Sequence, residues 1–474
     1  MNQSGELSVS ARREVLAAAF VAWMFAGLEN GLFVLIHRQM MRELLGATAA
    51  ESLIVQWLAW NQAAFMLGAA AGGWLFGWLG DRAGRTRALG CSVLCYSLLT
   101  LAAWFVHDPW LMWCVRFLAM LGFGGTWPNA VSLIAEAWPG ASRPFLAGLL
   151  GTAANVGMVL MGAIGWLQPV TDSDWRWTLL AASSPAVIGV WILWRVPESR
   201  RWLHERSAAA AAHGNPAVAE TRTSGPAAAS RSGTFGELFR PPLLQRTLLG
   251  IALGSVPVIG TAANGNWIVP WSDQVAAKRA AEKAAATDAA ARATAGAAGN
   301  QAARNSASKN PADVSRSKAL TLMSRSGGGV LGSLVGGIAA TLAGRRLSYF
   351  LISLASLLSS TVLFTQLTPG DPWFNTGSFL LGMFGVTYFG WLPLFLPELF
   401  PTRVRAAGSG IAFNSGRIAA AAVTLTVALW IQTLDVDYAR IGFFTGLIYA
   451  VGMVIIWFAP VEEPISAAKP AGAV

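Results

Sequence analysis

Four charged side chains fall in the interior of long apolar runs of this chain, away from the charges at the run ends. Glu29 lies within "MFAGLENGLFVLI", Met24–Ile36, and Arg116, Arg325 and Arg417 lie in three later runs. A charge at such depth in lipid is costly, and side chains kept there bind solutes, relay protons or pair with one another. The carboxylate of Glu29 is the group among them that can load and release a proton. A guanidinium offers a planar fork that matches a carboxylate. Three cations against one anion therefore point to an anionic solute, such as a carboxylate-bearing metabolite. Arg325 stands near the start of its run, which favours an interfacial anchor. For Arg417, beside Gly416, carboxylate binding and capping of backbone carbonyls stay equally open.

The other titratable residues argue against catalysis. His37, His107, His204 and His213 all fall outside the cores of the runs. An intramembrane protease, acyltransferase or metal enzyme needs a nucleophile with a base, or His and Asp ligands, at membrane depth. Glu29 is the one candidate base, so the sequence reads as a non-enzyme without cofactor or metal. Cys91, Cys95 and Cys114 read as ordinary buried thiols.

The elements that must position these groups are membrane helices. The chain has 474 residues, 54% hydrophobic and 12% charged; average soluble domains carry about 25% charged residues. A net charge of +10 would suggest nucleic acid in a soluble protein. Here the cations cluster between apolar runs, where they set topology, and no nucleic-acid partner is expected. Twelve runs lie at roughly 15–36, 53–79, 88–106, 110–135, 144–167, 177–195, 246–271, 319–343, 347–367, 373–397, 406–434 and 438–460. The first is too long for a signal-peptide core, so it reads as a span. An even count puts both termini on one side. Arg12, Arg13, Arg82, Arg85, Arg87, Arg143, Arg345, Arg346, Arg403, Arg405 and Lys469 make that side cytoplasmic, against Arg38, Arg42, Arg176 and Arg440 in the short outer loops.

This spacing predicts an N-terminal six-helix bundle over 1–195, a cytoplasmic linker over 196–245, a C-terminal six-helix bundle over 246–460 and a cytoplasmic tail over 461–474. Residues 272–318 form an alanine-rich extracytoplasmic insert, expected to be a frayed extension of span seven followed by a disordered tail.

The two halves repeat. "DPW" at Asp108–Trp110 returns at Asp371–Trp373. Glu136, Pro139 and Arg143 return as Glu398, Pro401 and Arg405, and "GTAANVG" (Gly151–Gly157) matches "GIAFNSG" (Gly410–Gly416). Gly77 and Gly84 match Gly337 and Gly344. Four matches in order at near-constant spacing predict an all-α polytopic membrane protein of two pseudo-symmetric six-helix bundles. Repeated halves with a site between them are the plan of secondary transporters.

The chain resembles the major facilitator superfamily over nearly its whole length. "GWLGDRAGRTR", Gly77–Arg87, is similar to the signature loop between spans two and three. The resemblance implies a gate latch there, built from Gly77, Asp81, Arg82, Gly84 and Arg85, with Glu136, Arg143, Glu398 and Arg405 in the repeated loops. Thr341 stands where the second copy would carry the acid of Asp81. "RFLAMLGFGG", Arg116–Gly125, is similar to the fourth-span motif. "PESRRWL", Pro197–Leu203, and "PELFPTRVRAAG", Pro397–Gly408, resemble the branch of sugar porters and aromatic-acid or sialic-acid proton symporters. That branch often has two acids in span one; here Ala26 and Glu29 hold those places.

The resemblance implies alternating-access symport of a small polar solute, carboxylate or sugar-like, with a proton, by a monomer in a cytoplasmic-type bilayer. Glu29 and Arg116 are expected to interact beside the central cavity and couple the proton. Arg417 is the expected substrate cation. Asn155 and Asn414 occupy equivalent points of the repeat, as helix-packing amides or substrate contacts. Trp267 and Trp391 are expected as substrate platforms in spans seven and ten. A transporter-like sensor or scaffold that has lost coupling stays open as an alternative.

Overall fold

A computed structural model describes residues 7–138, 143–171, 174–200, 202–204, 207, 234–293, 297–401, 404–434 and 437–460. Each predicted run is a helix. In chain order they are α1 (Val9–Leu45), α2 (Glu51–Ala83), α3 (Arg85–Phe105), α4 (Pro109–Ala137), α5 (Arg143–Leu167) and α6 (Trp177–Arg195). The second half has α7 (Leu243–Lys283, helical on to Ala293), α8 (Ala297–Leu342), α9 (Arg345–Gln366), α10 (Phe374–Leu399), α11 (Arg405–Leu434) and α12 (Tyr438–Phe458). The molecule is a multi-pass membrane protein of two six-helix bundles, α1–α6 and α7–α12. The end at which α1 begins is here the near end, and the opposite end the far end.

Eleven of these helices carry a stretch long and apolar enough to cross a membrane. The exception is α8, whose run is diluted by glycine. The composition follows from packing. A Cβ on Gly328, Gly332 or Gly336 would collide with the backbone carbonyls of Phe379, Met383 and Thr387 in α10. Two helices can approach this closely only where one lacks side chains.

The segment 272–318 departs from expectation. It is helical over Ile268–Ala293 and again from Ala297, continuous with α8. Alanine with Lys, Arg and Glu sustains helix, so the expected disordered tail is replaced by extensions of two spans. The cysteines, free thiols, are less buried than expected: Cys91 and Cys95 are half-buried and Cys114 is exposed.

The halves meet along two lines, α5 against α8 and α2 against α11. The repeat read from the sequence is also conformational. Gly84 ends α2 at φ 114° and Gly344 follows α8 at φ 74°. Both turns need the left-handed region that glycine enters freely. Asn155 of α5 packs on Gly329 of α8, and Asn414 of α11 packs on Gly73 of α2, the same seat used twice across the boundary.

Candidate functional site

A cavity of about 160 Å³ lies between the halves. Trp23 and Asn30 reach it from α1, Phe65 and Met66 from α2, Phe123 and Trp127 from α4, and Asn155 and Met158 from α5. The second half supplies Thr261 and Asn266 from α7, Arg325 and Ser326 from α8, Phe389 from α10, and Phe413 and Arg417 from α11. Helices α3, α6, α9 and α12 give no lining residue. Among the described residues none of the lining side chains is acidic. The walls are aromatic, and the two cations both come from the second half.

Each arginine is held by a carbonyl. Arg417 Nη1 donates to Ala69 O of α2 at 2.8 Å, and its guanidinium lies 5.1 Å from the ring centroid of Phe413, one turn away on the same face. Arg325 Nη2 donates to Thr261 O at 3.2 Å. That carbonyl belongs to a break in α7, where a wide π turn over Gly260–Asn264 and a 3₁₀ turn over Gly265–Trp267 interrupt the α-helix. A Cβ on Gly265 would press on the Arg325 guanidinium. The anchor expected at Arg325 is thus corrected. Helix α8 begins far earlier than its apolar run, so Arg325 is deep in the helix and faces the cavity.

Glu29 and Arg116 are in contact, with Nη1 to Oε1 at 3.1 Å and exposures of 2% and 6%. Their position differs from expectation. They border a separate cavity of about 30 Å³ inside the first bundle, together with Thr100 of α3 and Leu179 of α6. Helical phase explains the difference. Residues advance by about 100° each, so when Asn30 faces the central cavity Glu29 turns into the bundle. The Arg116 guanidinium sits 4.0 Å from the Phe33 ring centroid and 5.7 Å from that of Phe65. Phe65 also lines the central cavity, so the ion pair stands one aromatic side chain behind its wall.

Trp267 and Trp391 do not line the cavity, which corrects the expected platforms. Trp267 is 2% exposed and packs near Tyr438; its neighbour Asn266 takes the cavity position. Trp391 is fully buried within the second bundle, where it packs on Tyr349 and donates to Ser348 Oγ at 2.9 Å. It stands two residues from Phe389, which puts it on nearly the opposite side of α10. Asn155 lines the cavity, whereas Asn414 is absent from its wall and turns toward Gly73.

At the near end, Asp81 pairs with Arg85 at 2.6 Å, one turn along the chain, and Arg82 stacks over Trp78. Among the described residues Gly77 has no close neighbour where a Cβ would stand, while Gly84 faces the Glu198 carboxylate. Glu198 accepts from Thr86 N at 2.9 Å and caps α3, Ser199 Oγ contacts Glu136, and Trp202 Nε1 donates to Asp81 O at 2.8 Å. In the second half, Glu398 instead takes Arg345 bidentately at 2.8 and 3.2 Å. The side chains of Arg143 and Arg405 lie outside the described residues. Thr341 Oγ1 donates to the carbonyls of Gly337 and Ile338 in its own helix. Among the described residues no three His, Cys, Asp or Glu side chains come together as a metal site.

A model described as Major Facilitator Superfamily matches residues 15–300. The chain belongs to that superfamily. Among similar superfamily members is the niacin transporter NiaP of Acinetobacter baylyi, 24% identical over 448 residues, which cover 92% of this chain and 91% of that one. A gallate transporter of Pseudomonas putida is 30% identical over 198 residues, 41% of this chain and 42% of that one. A partially occluded, inward-open structure of the xylose transporter XylE of E. coli superposes with a TM-score of 0.68 at 15% identity, covering 95% of this chain and 98% of that one. This last likeness is one of fold.

Within the superfamily fold, sequence reading missed Asn30, Thr261, Asn266 and Ser326 as cavity residues. Their signal was present but faint, since single amides and hydroxyls inside apolar runs also serve as helix-packing groups.

Proposed function

We propose that this protein moves a small, planar carboxylate across a cytoplasmic-type membrane by alternating access, as a monomer, with a proton as co-substrate and both termini in the cytoplasm. The supporting observation is the placing of Arg325 and Arg417 on one aromatic-walled cavity that, among the described residues, carries no acid. Two guanidiniums without a lining counter-ion favour an anion, and flat aromatic walls favour a ring or a conjugated chain. A sugar would ask instead for many paired donors and acceptors. Niacin and gallate, the solutes for which two similar proteins are named, are aromatic carboxylates.

Proton coupling is assigned to Glu29. Its partner Arg116 favours the charged form and its burial favours the neutral one. Phe65 connects the pair to the cavity, so a bound ring can press on the ion pair through one side chain. The placing of Glu29 beside Arg116, one side chain behind the cavity wall, supports a transporter.

Proteoliposomes loaded with purified protein test the substrate class. Labelled nicotinate, benzoate and gallate are offered beside nicotinamide and xylose. Saturable uptake of one or more acids, with none of the amide or sugar, is the expected result. Equal uptake of nicotinate and nicotinamide, or uptake of xylose alone, would remove the carboxylate reading.

A further inference from the structure

A lysine is buried completely at the far end, beyond the central cavity. Lys318 of α8 has no exposed surface, and Gln39 of α1 and Asp273 of α7 are exposed by only 6% and 5%. Lys318 Nζ donates to Gln39 Oε1 at 2.8 Å and stands 3.8 Å from Asp273 Oδ1. Lys318 and Asp273 belong to the second bundle, Gln39 to the first. The cation therefore keeps a counter-ion in its own half and a neutral hydrogen-bond partner across the boundary. Close by, Ser315 Oγ accepts the backbone N–H of Val170 at 2.8 Å, a second bond between the halves. Lys318 lies two turns from Arg325 along the same face of α8, so it closes the same boundary that the cavity occupies.

We propose that Gln39 and Lys318 form the latch that holds the far gate shut, with Asp273 as the fixed counter-ion that keeps Lys318 in place when the latch opens. The choice of an amide is what makes the latch reversible. When the halves part, the bond between Gln39 and Lys318 is exchanged for water, and the ammonium keeps Asp273 beside it in its own half. A carboxylate at position 39 would instead form an ion pair that must be separated on opening, and breaking a buried pair is strongly unfavourable. An apolar residue there would remove the bond that Lys318 makes to Gln39 while the gate is closed, and so favour the open gate, where water reaches the ammonium. The inference rests on the alternating-access reading above, and its test reads a distance and not uptake. A failed latch leaves carboxylate transport standing, and a failed uptake assay leaves the latch standing.

Spin labels at Leu167→Cys and Trp373→Cys report the far end, one from each half, at positions 73% and 69% exposed. Cys91, Cys95 and Cys114 are replaced by serine, and distances are measured by pulsed dipolar spectroscopy in nanodiscs. Gln39→Met, of similar volume, is expected to raise the open-to-closed ratio roughly tenfold or more. Gln39→Glu is expected to lower it or leave the closed population dominant. Opening by Gln39→Met without opening by Gln39→Glu supports the latch. An unchanged ratio in Gln39→Met, or opening by both variants, overturns it. Gln39→Leu is read in the same way as Gln39→Met should the methionine variant not fold.

Discussion

Arg417 of α11 donates to the carbonyl of Ala69 in α2, 2.8 Å away in the opposite half of the molecule. The same guanidinium lines the central cavity. One side chain thus joins the two bundles and faces the place where a solute would bind. A ligand that draws the guanidinium toward itself acts directly on a bond between the halves, which is how differential binding shifts a two-state equilibrium.

Replacing Arg417 by lysine keeps the charge and removes the fork. A single ammonium cannot hold Ala69 O and both oxygens of a carboxylate in the same geometry. Binding of the best carboxylate is expected to weaken by about 1.5–3 kcal/mol, the scale of a hydrogen bond to a charged group. Isothermal titration on purified protein measures it, and unchanged affinity would rule out bidentate recognition.

Glu29→Gln removes the one proton-carrying group of the buried pair and leaves its shape. Uptake driven by an imposed pH gradient is expected to vanish in proteoliposomes, while solute exchange at equal pH persists. Gradient-driven uptake in the variant would make the glutamate a structural partner of Arg116 only.

The near-end loops differ in what holds them. Asp81 is largely exposed and its pair with Arg85 is local, so Asp81→Asn is expected to change stability by less than about 1 kcal/mol. Glu198 caps α3 from a distant segment, and Glu198→Ala is expected to cost about 0.5–2 kcal/mol, as lost caps do. Thermal unfolding of the two variants side by side measures the order, and a larger loss in Asp81→Asn would reverse this assignment.

Gly332→Val places a branched side chain against the Met383 carbonyl, where the backbones of α8 and α10 touch. Overpacking of this kind destabilises by about 1–3 kcal/mol, and Tm is expected to fall by a few degrees. A Tm equal to that of the parent would mean the two helices can separate freely there.

Replacing 280–312 by a short Gly/Ser linker removes the extensions of α7 and α8 but keeps Asp273, Ser315 and Lys318. Uptake is expected to stay near the parental rate. Loss of uptake with normal folding would assign the extensions a part in the transport cycle.

The twelve spans and the twofold repeat were legible because apolar length and recurring loop motifs are properties of the chain itself. The contact between Glu29 and Arg116 was legible too, since depth along two antiparallel helices can be counted. Which way those helices are turned was not. Trp267 and Trp391 face the bundle interior because phase depends on how whole helices pack, and a one-residue shift turns a side chain through about 100°. Arg325 was misread for a different reason: an apolar run marks where lipid begins, and α8 starts well before it. The buried Lys318 and Asp273 fell just outside their runs, in a stretch whose composition looks like solvent-exposed helix.

The glycines of α8 have a consequence for how the protein is made. Its polar first part and glycine-diluted second part give the insertion machinery a weak hydrophobic signal, weaker than that of any other span. The helix that carries Arg325 and Lys318 therefore depends on its neighbours to stay in the bilayer. Of its two close-packing partners, α5 is synthesised before it and α10 after it. During synthesis α8 can lean on α5 at once, but its glycine face stays unfilled until α10 emerges from the ribosome. Truncation of the nascent chain between α8 and α10 should leave α8 poorly integrated, a vulnerability that comes from the same close packing that stabilises the finished fold.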